Sequence, residues 1–367
     1  MIPRHVLVTA DAVGGVWTYA LDLSQALARR GVRVTLAILG PPPDAAQKRA
    51  AEAVQGLELV ETGLPLDWLA DGPQPLEQAA RSLRDLAAEK RTDLIHLNSP
   101  ALMDAASWRA PVVGACHSCL ATWWDTVRGG AMPEDFVWRT ERLAQGYRHC
   151  DRLIAPSHAF AQQTAALYGV LPIAVRNGRQ RRSPSLGRLR DRTVLTAGRL
   201  WDDGKNMTAL DRAAGRMRGA VEAAGPLTGP HGQSVVLNHV KPLGVLTAED
   251  LDARMRRAAV FCSPSLYEPF GLGVLEAAQA GCALVLADIP TFRELWQGAA
   301  VFFDPQDDAG LAATLDDLLD DTDRTRRMAA LAASRAETFT VEAMAEGTLA
   351  VYAEALAAHA PLGEAAA

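Results

Sequence analysis

Residues 263–290, SPSLYEPFGLGVLEAAQAGCALVLADIP, decide the fold. Val260–Cys262 is an apolar run that stops at Ser263-Pro264. Cys282–Ala287 is a second run, bounded by Gly281 and by Asp288-Ile289-Pro290. Short apolar runs closed by turn residues read as strands buried on both faces. Between them Val274–Ala280 has a helical composition, and Gly271-Leu272-Gly273 stands where that helix begins. The first N–H groups of a helix are unpaired and carry partial positive charge, so this glycine-rich start suits a phosphate. Glu268 lies in the loop before the helix and Glu276 lies on it. Carboxylates do not bind phosphate, but they accept hydrogen bonds from hydroxyls. A phosphate cradle flanked by two such acceptors describes a site for a nucleotide that carries a sugar. Taken alone, the two glutamates also fit a solvated loop and an ordinary amphipathic helix.

Upstream, Val194–Gly198 reads as a strand followed by Arg199, and Lys205-Asn206 opens a helix to about Met217. Two cations just after a strand and at a helix start are placed to neutralise a diphosphate, although a pair of surface charges has the same pattern. Val221–Leu227 is a strand that ends in a Gly-Pro loop with His231. Val240–Leu246 precedes a helix over Ala248–Ala258 that Thr247 caps. Downstream come a strand, Ala300–Phe303, and helices over 309–319, 322–338 and 341–358.

The first half opens on a βαβ unit. His5–Ala10 is a strand, Val16–Arg30 an amphipathic helix closed by Gly31, and Val32–Leu39 the next strand. The turn after the first strand, Asp11-Ala12-Val13-Gly14-Gly15, is no GxGxxG, so a dinucleotide site has no support. Gly14-Gly15 reads equally as a tight turn and as an amide-rich loop at a site. Asp93–Leu97 is a strand whose carboxyl end delivers Asn98 and Ser99, where ligands collect in open α/β sheets. Val112–Ala115 ends in Cys116-His117-Ser118-Cys119, followed by Trp123-Trp124. The Cys-x-x-Cys has no second pair to complete a structural zinc site, so buried, inert cysteines are expected and no metal. Trp123 and Trp124 offer aromatic faces on which a sugar can stack, and suit a core role as well. The Arg-, Ser-, Gly- and Pro-rich run over 179–192 reads as a linker.

A chain of 367 residues is comfortable for two domains. Its hydrophobic share of 49% and charged share of 22% are those of a soluble globular protein. A formal charge of −6 gives no attraction to nucleic acid and leaves at most a peripheral contact with a membrane. No apolar run is long enough to span a bilayer. Five cysteines, an odd number, argue against a disulfide framework and for a cytoplasmic setting.

The run Glu268-Pro-Phe-Gly-Leu-Gly-Val-Leu-Glu276, followed by AAQAGCALVLADIP and Glu294-Leu295-Trp296, resembles the Glu, seven residues, Glu signature of retaining glycosyltransferases. It is most similar to glycosyltransferase family 4, with the glycogen-synthase-type enzymes as cousins. GRL with GKN around Arg199 and Lys205, and DAVGGVWTY around Gly14-Gly15, extend the likeness over nearly the whole chain. Five residues separate Arg199 from Lys205, one more than the commoner family spacing.

The resemblance implies the α/β GT-B fold, two facing Rossmann-like domains with a deep interdomain cleft. Residues 1–178 would form an acceptor-binding domain on which the helix over 341–358 packs back, and residues 193–340 the donor-binding domain. By the same likeness His117, Glu268, Arg199 and Lys205 are the catalytic candidates. Gly14, Gly15, Arg199, Lys205, Val245, Glu268, Phe270, Gly271, Leu272 and Glu276 would hold a UDP-, GDP- or ADP-sugar. Asp11, Trp17, Asn98, Trp123 and Trp124 are the acceptor candidates, for a sugar, a glycan or a lipid-linked acceptor. No obligatory cofactor is expected. Two rival readings stand beside this one. An epimerase or inverting transferase on the same fold needs a general base, for which Asp11 or His117 would serve. A relative that binds nucleotide sugars without turnover would be expected to have lost one of Glu268, Glu276, Arg199 or Lys205.

Overall fold

The computed structural model describes residues 1–180, 190–230 and 232–359. The middle of the expected linker, residues 181–189, and His231 lie outside them. The chain forms two compact α/β units. One comprises Met1–Asp125, Gly129–Gly178 and the segment from Val341; the other comprises Thr126–Arg128 and Arg179–Thr340.

The first unit runs β1 (His5–Asp11), α1 (Gly15–Arg29), β2 (Arg33–Leu39), α2 (Ala45–Glu52), β3 (Leu57–Glu61), α3 (Pro73–Lys90), β4 (Leu94–Leu97), β5 (Val112–Ala115), α4 (Leu120–Val127), α5 (Glu134–His149), β6 (Arg152–Ala155), α6 (His158–Tyr168) and β7 (Ile173–Ala174). Its strands form one parallel sheet in the order β3-β2-β1-β4-β5-β6-β7. Alternate β1 residues serve opposite faces. Val6, Val8 and Ala10 pack in one core with α1, and Leu7 packs in another with α3. Both faces are therefore apolar, which is why the strands are legible as continuous hydrophobic runs. Asp44 caps α2 by accepting from the Ala46 and Gln47 amides, with Gln47 reaching back to its own N–H. Ser157 caps α6 through the Phe160 amide.

The second unit runs β8 (Asp191–Ala197), α7 (Met207–Ala214), β9 (Ala220–Ala224), β10 (Lys241–Gly244), α8 (Ala248–Arg257), β11 (Ala258–Ser263), α9 (Leu272–Ala280), β12 (Ala283–Ala287), α10 (Pro290–Trp296), β13 (Val301–Phe303), α11 (Asp308–Asp320) and α12 (Thr322–Ala336). Its sheet is parallel throughout, in the order β10-β9-β8-β11-β12-β13. Along β12, Ala283, Val285 and Ala287 face α11 while Leu284 and Leu286 face α9 and α12. The last helix, α13 (Val341–His359), returns to the first unit, where Val341, Met344 and Tyr352 join the core beside α1. No helix among the described residues is long and apolar enough to cross a membrane.

Two segments differ from expectation. Strand β8 starts at Asp191, inside the stretch read as linker. The helix expected from Lys205 begins only at Met207, because Asn206 is left-handed (φ 52°) and ends a separate 3₁₀ turn over Asp203–Lys205.

In each sheet the strand order reverses once, between β1 and β4 and between β8 and β11, and ligands collect at the carboxyl ends flanking such a reversal. At the second reversal the backbone closes tightly: Gly198 donates to the Ala224 carbonyl and Gly225 to the Gly244 carbonyl. Gly225 has φ +140°, and a Cβ there would stand 1.9 Å from the Gly198 carbonyl oxygen. Replacing Gly225 by Ala is therefore expected to destabilise the protein by at least about 2–3 kcal/mol, read as a lowered urea midpoint. An unchanged midpoint would mean that this close approach is not needed.

Candidate active site

The reversal in the second unit gathers four of the expected side chains. Arg199 leaves the end of β8 and pairs with Asp202 at 3.1 Å, while Asp202 also caps the following turn through the Gly204 amide. That 3₁₀ turn takes up the additional residue between Arg199 and Lys205. The Gly204 carbonyl accepts from the amides of Leu266 and Tyr267, which ties the loop after β11 to the turn after β8. Glu268 follows in that loop, and its carboxylate meets Lys205 Nζ at 2.5 Å. Gly271 then starts α9 at φ +91°; a Cβ there would crowd Phe292, Val274 and Glu268. No side chain caps α9 at Gly271, so the amides of its first turn remain available to an anion. Glu276, one turn further on, is held by Arg179 at 2.9 Å. Arg179 was not foreseen. It lies at the start of the expected linker, and its partner is remote in sequence.

The reversal in the first unit gathers a neutral group. Asn98 follows β4 and His117 follows β5. The Asn98 backbone N–H donates to Thr9 Oγ1 at 2.9 Å, and its side-chain Nδ2 donates to the Thr9 carbonyl at 2.6 Å. Its Oδ1 lies 2.7 Å from His117 Nε2 and 3.1 Å from His96 Nε2. The Tyr19 ring of α1 meets His117 edge-on, with centroids 4.5 Å apart. Burial and the nearby His96 lower the His117 pKa to about 3, so its imidazole is neutral. Asp11, at the end of β1, accepts from the Val13 amide at 2.8 Å and shapes the turn into Gly14. Gly14 is extended and Gly15 begins α1. Asp67 is a further carboxyl that the sequence did not single out: burial raises its pKa, and Asp11 adds to the shift.

Two aromatic expectations change. Trp17 is 7% exposed and belongs to the core with α1, so it has little surface to offer an acceptor. Phe270 is 4% exposed and packs edge-on against Phe339, so only its backbone can face a ligand. A residue beside a site motif need not point into the site, and both rings gain more from the core. Trp123 and Trp124 stay half-buried on α4; Trp124 stacks edge-on with Phe136 and donates to the Gly130 carbonyl at 3.2 Å. Asn98 has both ends of its amide engaged within the protein, which fits an organising role better than a direct contact. Val245 is exposed. All five cysteines are free thiols, and burial raises the Cys116 pKa, which makes it inert.

Residues 13–178 match the family model described as Glycosyltransferase Family 4, and residues 233–335 match Glycosyl transferases group 1. The chain is a glycosyltransferase that pairs a family 4 domain with a group 1 domain. An MMP alpha-(1->4)-mannosyltransferase of Mycolicibacterium hassiacum is 26% identical, covering 94% of this chain and 95% of the relative. A D-inositol 3-phosphate glycosyltransferase of Kineococcus radiotolerans is 28% identical over 95% of this chain and 92% of the relative. The glycogen synthase of Mycobacterium tuberculosis is 38% identical over 120 residues, 32% of this chain and 29% of the relative. Among solved structures, sucrose-phosphate synthase from Thermosynechococcus elongatus is similar with a TM-score of 0.78 at 17% identity, covering 97% of this chain and all of that one. Anabaena HepE in complex with UDP-glucose gives 0.72 at 21% identity, over 96% and 99% of the two chains. The fold of this glycosyltransferase is thus the GT-B fold, two Rossmann-like domains with parallel sheets, as its sequence led one to expect.

The buried histidine gives the first domain a pH dependence. His96 is fully buried, and burial lowers its pKa from 6.5 to about 4. Below about pH 6.5 the unfolded chain therefore takes up a proton that the folded chain refuses until about pH 4. Stability is complete above this window and falls as the pH drops through it, by up to about 1.4 kcal/mol per pH unit. Urea midpoints measured from pH 7.5 to pH 4.5 should fall, and less steeply in His96→Gln. Identical slopes in the two proteins would remove His96 as the cause.

Proposed function

We propose that this glycosyltransferase moves a hexosyl group from a nucleoside-diphosphate sugar to a hydroxyl acceptor, with retention at the anomeric carbon. The donor lies in the second domain and the acceptor is held by the first. One observation carries the reading: a cation, an uncapped helix start and two carboxylates converge where the second sheet reverses. Lys205, Arg199 and the amides of Leu272 and Gly273 meet the diphosphate. Glu276 accepts from the ribose hydroxyls and Glu268 from those of the donor sugar. The relatives named for mannosyl transfer and for D-inositol 3-phosphate, and HepE with its UDP-glucose, support this substrate class.

In the reaction the bond between anomeric carbon and diphosphate oxygen breaks, and the acceptor oxygen bonds to that carbon from the same face. The acceptor's proton passes to the departing phosphate oxygen. Negative charge grows on the diphosphate, so Arg199, Lys205 and the α9 amides act most strongly in the transition state. Inversion would need a base on the opposite face. A His117 imidazole with its pKa near 3 is a weak one. Asp11 is engaged by the Val13 amide. Retention fits these two side chains better.

A panel of UDP-, GDP- and ADP-sugars, scored for release of free nucleoside diphosphate, tests the assignment. Release from one donor should fall about 10²–10³-fold in Lys205→Met and be lost in Glu276→Ala. Proton NMR of the transferred sugar should show the anomeric configuration of the donor. Binding without release would support a protein that only binds nucleotide sugars. An inverted product would end the retaining assignment.

A further inference from the structure

The central strand β4 carries a histidine among apolar neighbours, and no step of the transfer uses it. His96 and Tyr352 are both fully buried, and a polar group withdrawn from water costs free energy unless it is hydrogen-bonded. Tyr352, on α13, places its hydroxyl 2.8 Å from His96 Nδ1. The other ring nitrogen of His96 lies 3.1 Å from Asn98 Oδ1, which is also 2.7 Å from His117 Nε2.

Proton positions follow from one fixed point. The Thr9 carbonyl can only accept, so the group 2.6 Å from it must be the Asn98 amide nitrogen. Asn98 Oδ1 therefore faces the two imidazoles, and an amide oxygen only accepts. Both histidines must carry their proton on Nε2. His96 Nδ1 is then a bare acceptor, and the Tyr352 hydroxyl donates to it. His117 Nδ1 is bare as well, and it has no hydrogen-bond partner among the described residues.

We propose that Asn98, His96 and Tyr352 are positioning residues that lock His117 in the Nε2–H tautomer, so that its Nδ1 accepts a hydrogen bond from a substrate hydroxyl. The inference rests on the proposed function only in placing that hydroxyl, on donor sugar or acceptor, beside His117. With the tautomer fixed, His117 selects a group that donates and repels one that only accepts, such as a carbonyl or phosphate oxygen. The chain of hydrogen bonds links the last helix to this ring through His96 and Asn98. The titratable neighbours of the His117 ring are His96 and Tyr19, both neutral.

The tautomer can be read without turnover. In the ¹⁵N-histidine-labelled full-length protein, with signals assigned through His117→Gln and His96→Gln, long-range ¹H–¹⁵N spectra should show both rings as Nε2–H between about pH 5 and 8. An Nδ1–H ring at His117, or its titration within that range, overturns the proposal, whether or not any donor is turned over. In Asn98→Asp the carboxylate stabilises the imidazolium, so the His117 signals should begin to titrate and an acidic limb should appear in kcat/KM. Tyr352→Phe removes one hydroxyl and should lower kcat about five- to tenfold, the value of one neutral hydrogen bond, with little change in the donor KM. A folded Asn98→Asp protein that leaves both the His117 spectrum and the pH profile unchanged would also overturn it. Loss of every donor reaction with the tautomers as stated would instead strike the proposed function.

Discussion

A parallel sheet buried on both faces leaves few places for polar chemistry, and that constraint organises this chain. Its strands are mostly apolar, and its helices occupy the two faces. Backbone and side chains are free to meet a ligand chiefly at the carboxyl edge, where successive loops diverge. Each domain has one such divergence, between β1 and β4 and between β8 and β11. Glycines make the second one possible. The ends of β8, β9 and β10 approach closely enough that their loops hydrogen-bond to one another, and the turn carrying Lys205 is tied through the Gly204 carbonyl to the loop carrying Glu268.

The two divergences are chemically opposite. That of the second domain is ionic: Lys205 meets Glu268, Arg199 meets Asp202 and Arg179 meets Glu276. Exchange of such partners suits a polyanionic ligand that carries hydroxyls, because each cation and each carboxylate has a counterpart on it. That of the first domain is neutral, with His117, His96 and Asn98 joined by hydrogen bonds and both imidazoles held uncharged by burial. A neutral, oriented set discriminates among hydroxyls by direction and not by charge.

Much of this was legible in the residues. The strands could be read because burial on both faces removes any polar alternation. Thr247 announced a helix start through its capping chemistry. The motif from Glu268 to Glu276 was readable because its glycine, its helix start and its carboxylates sit in one continuous segment. Direction was not readable. Trp17 and Phe270 stand in motifs, yet their rings turn into the core, where their area is worth more. The shortened helix at Met207 depends on one left-handed residue, Asn206, which composition does not reveal. Arg179 and Tyr352 were missed because their partners, Glu276 and His96, are remote in sequence. The one available signal was the histidine in the apolar run DLIHL, since a buried imidazole requires a partner from elsewhere.

The central claim is that Glu276 and its neighbours hold the nucleoside diphosphate part of a donor. Calorimetric titration tests it most directly, with the full-length protein and with Glu276→Ala, using UDP, GDP and ADP and the 2′,3′-dideoxy form of whichever binds. Removing the ribose hydroxyls should weaken binding to the wild type by about tenfold or more and leave binding to Glu276→Ala nearly unchanged, the coupling expected of groups in contact. Equal losses in the two proteins, or no binding of any nucleoside diphosphate, would contradict the account.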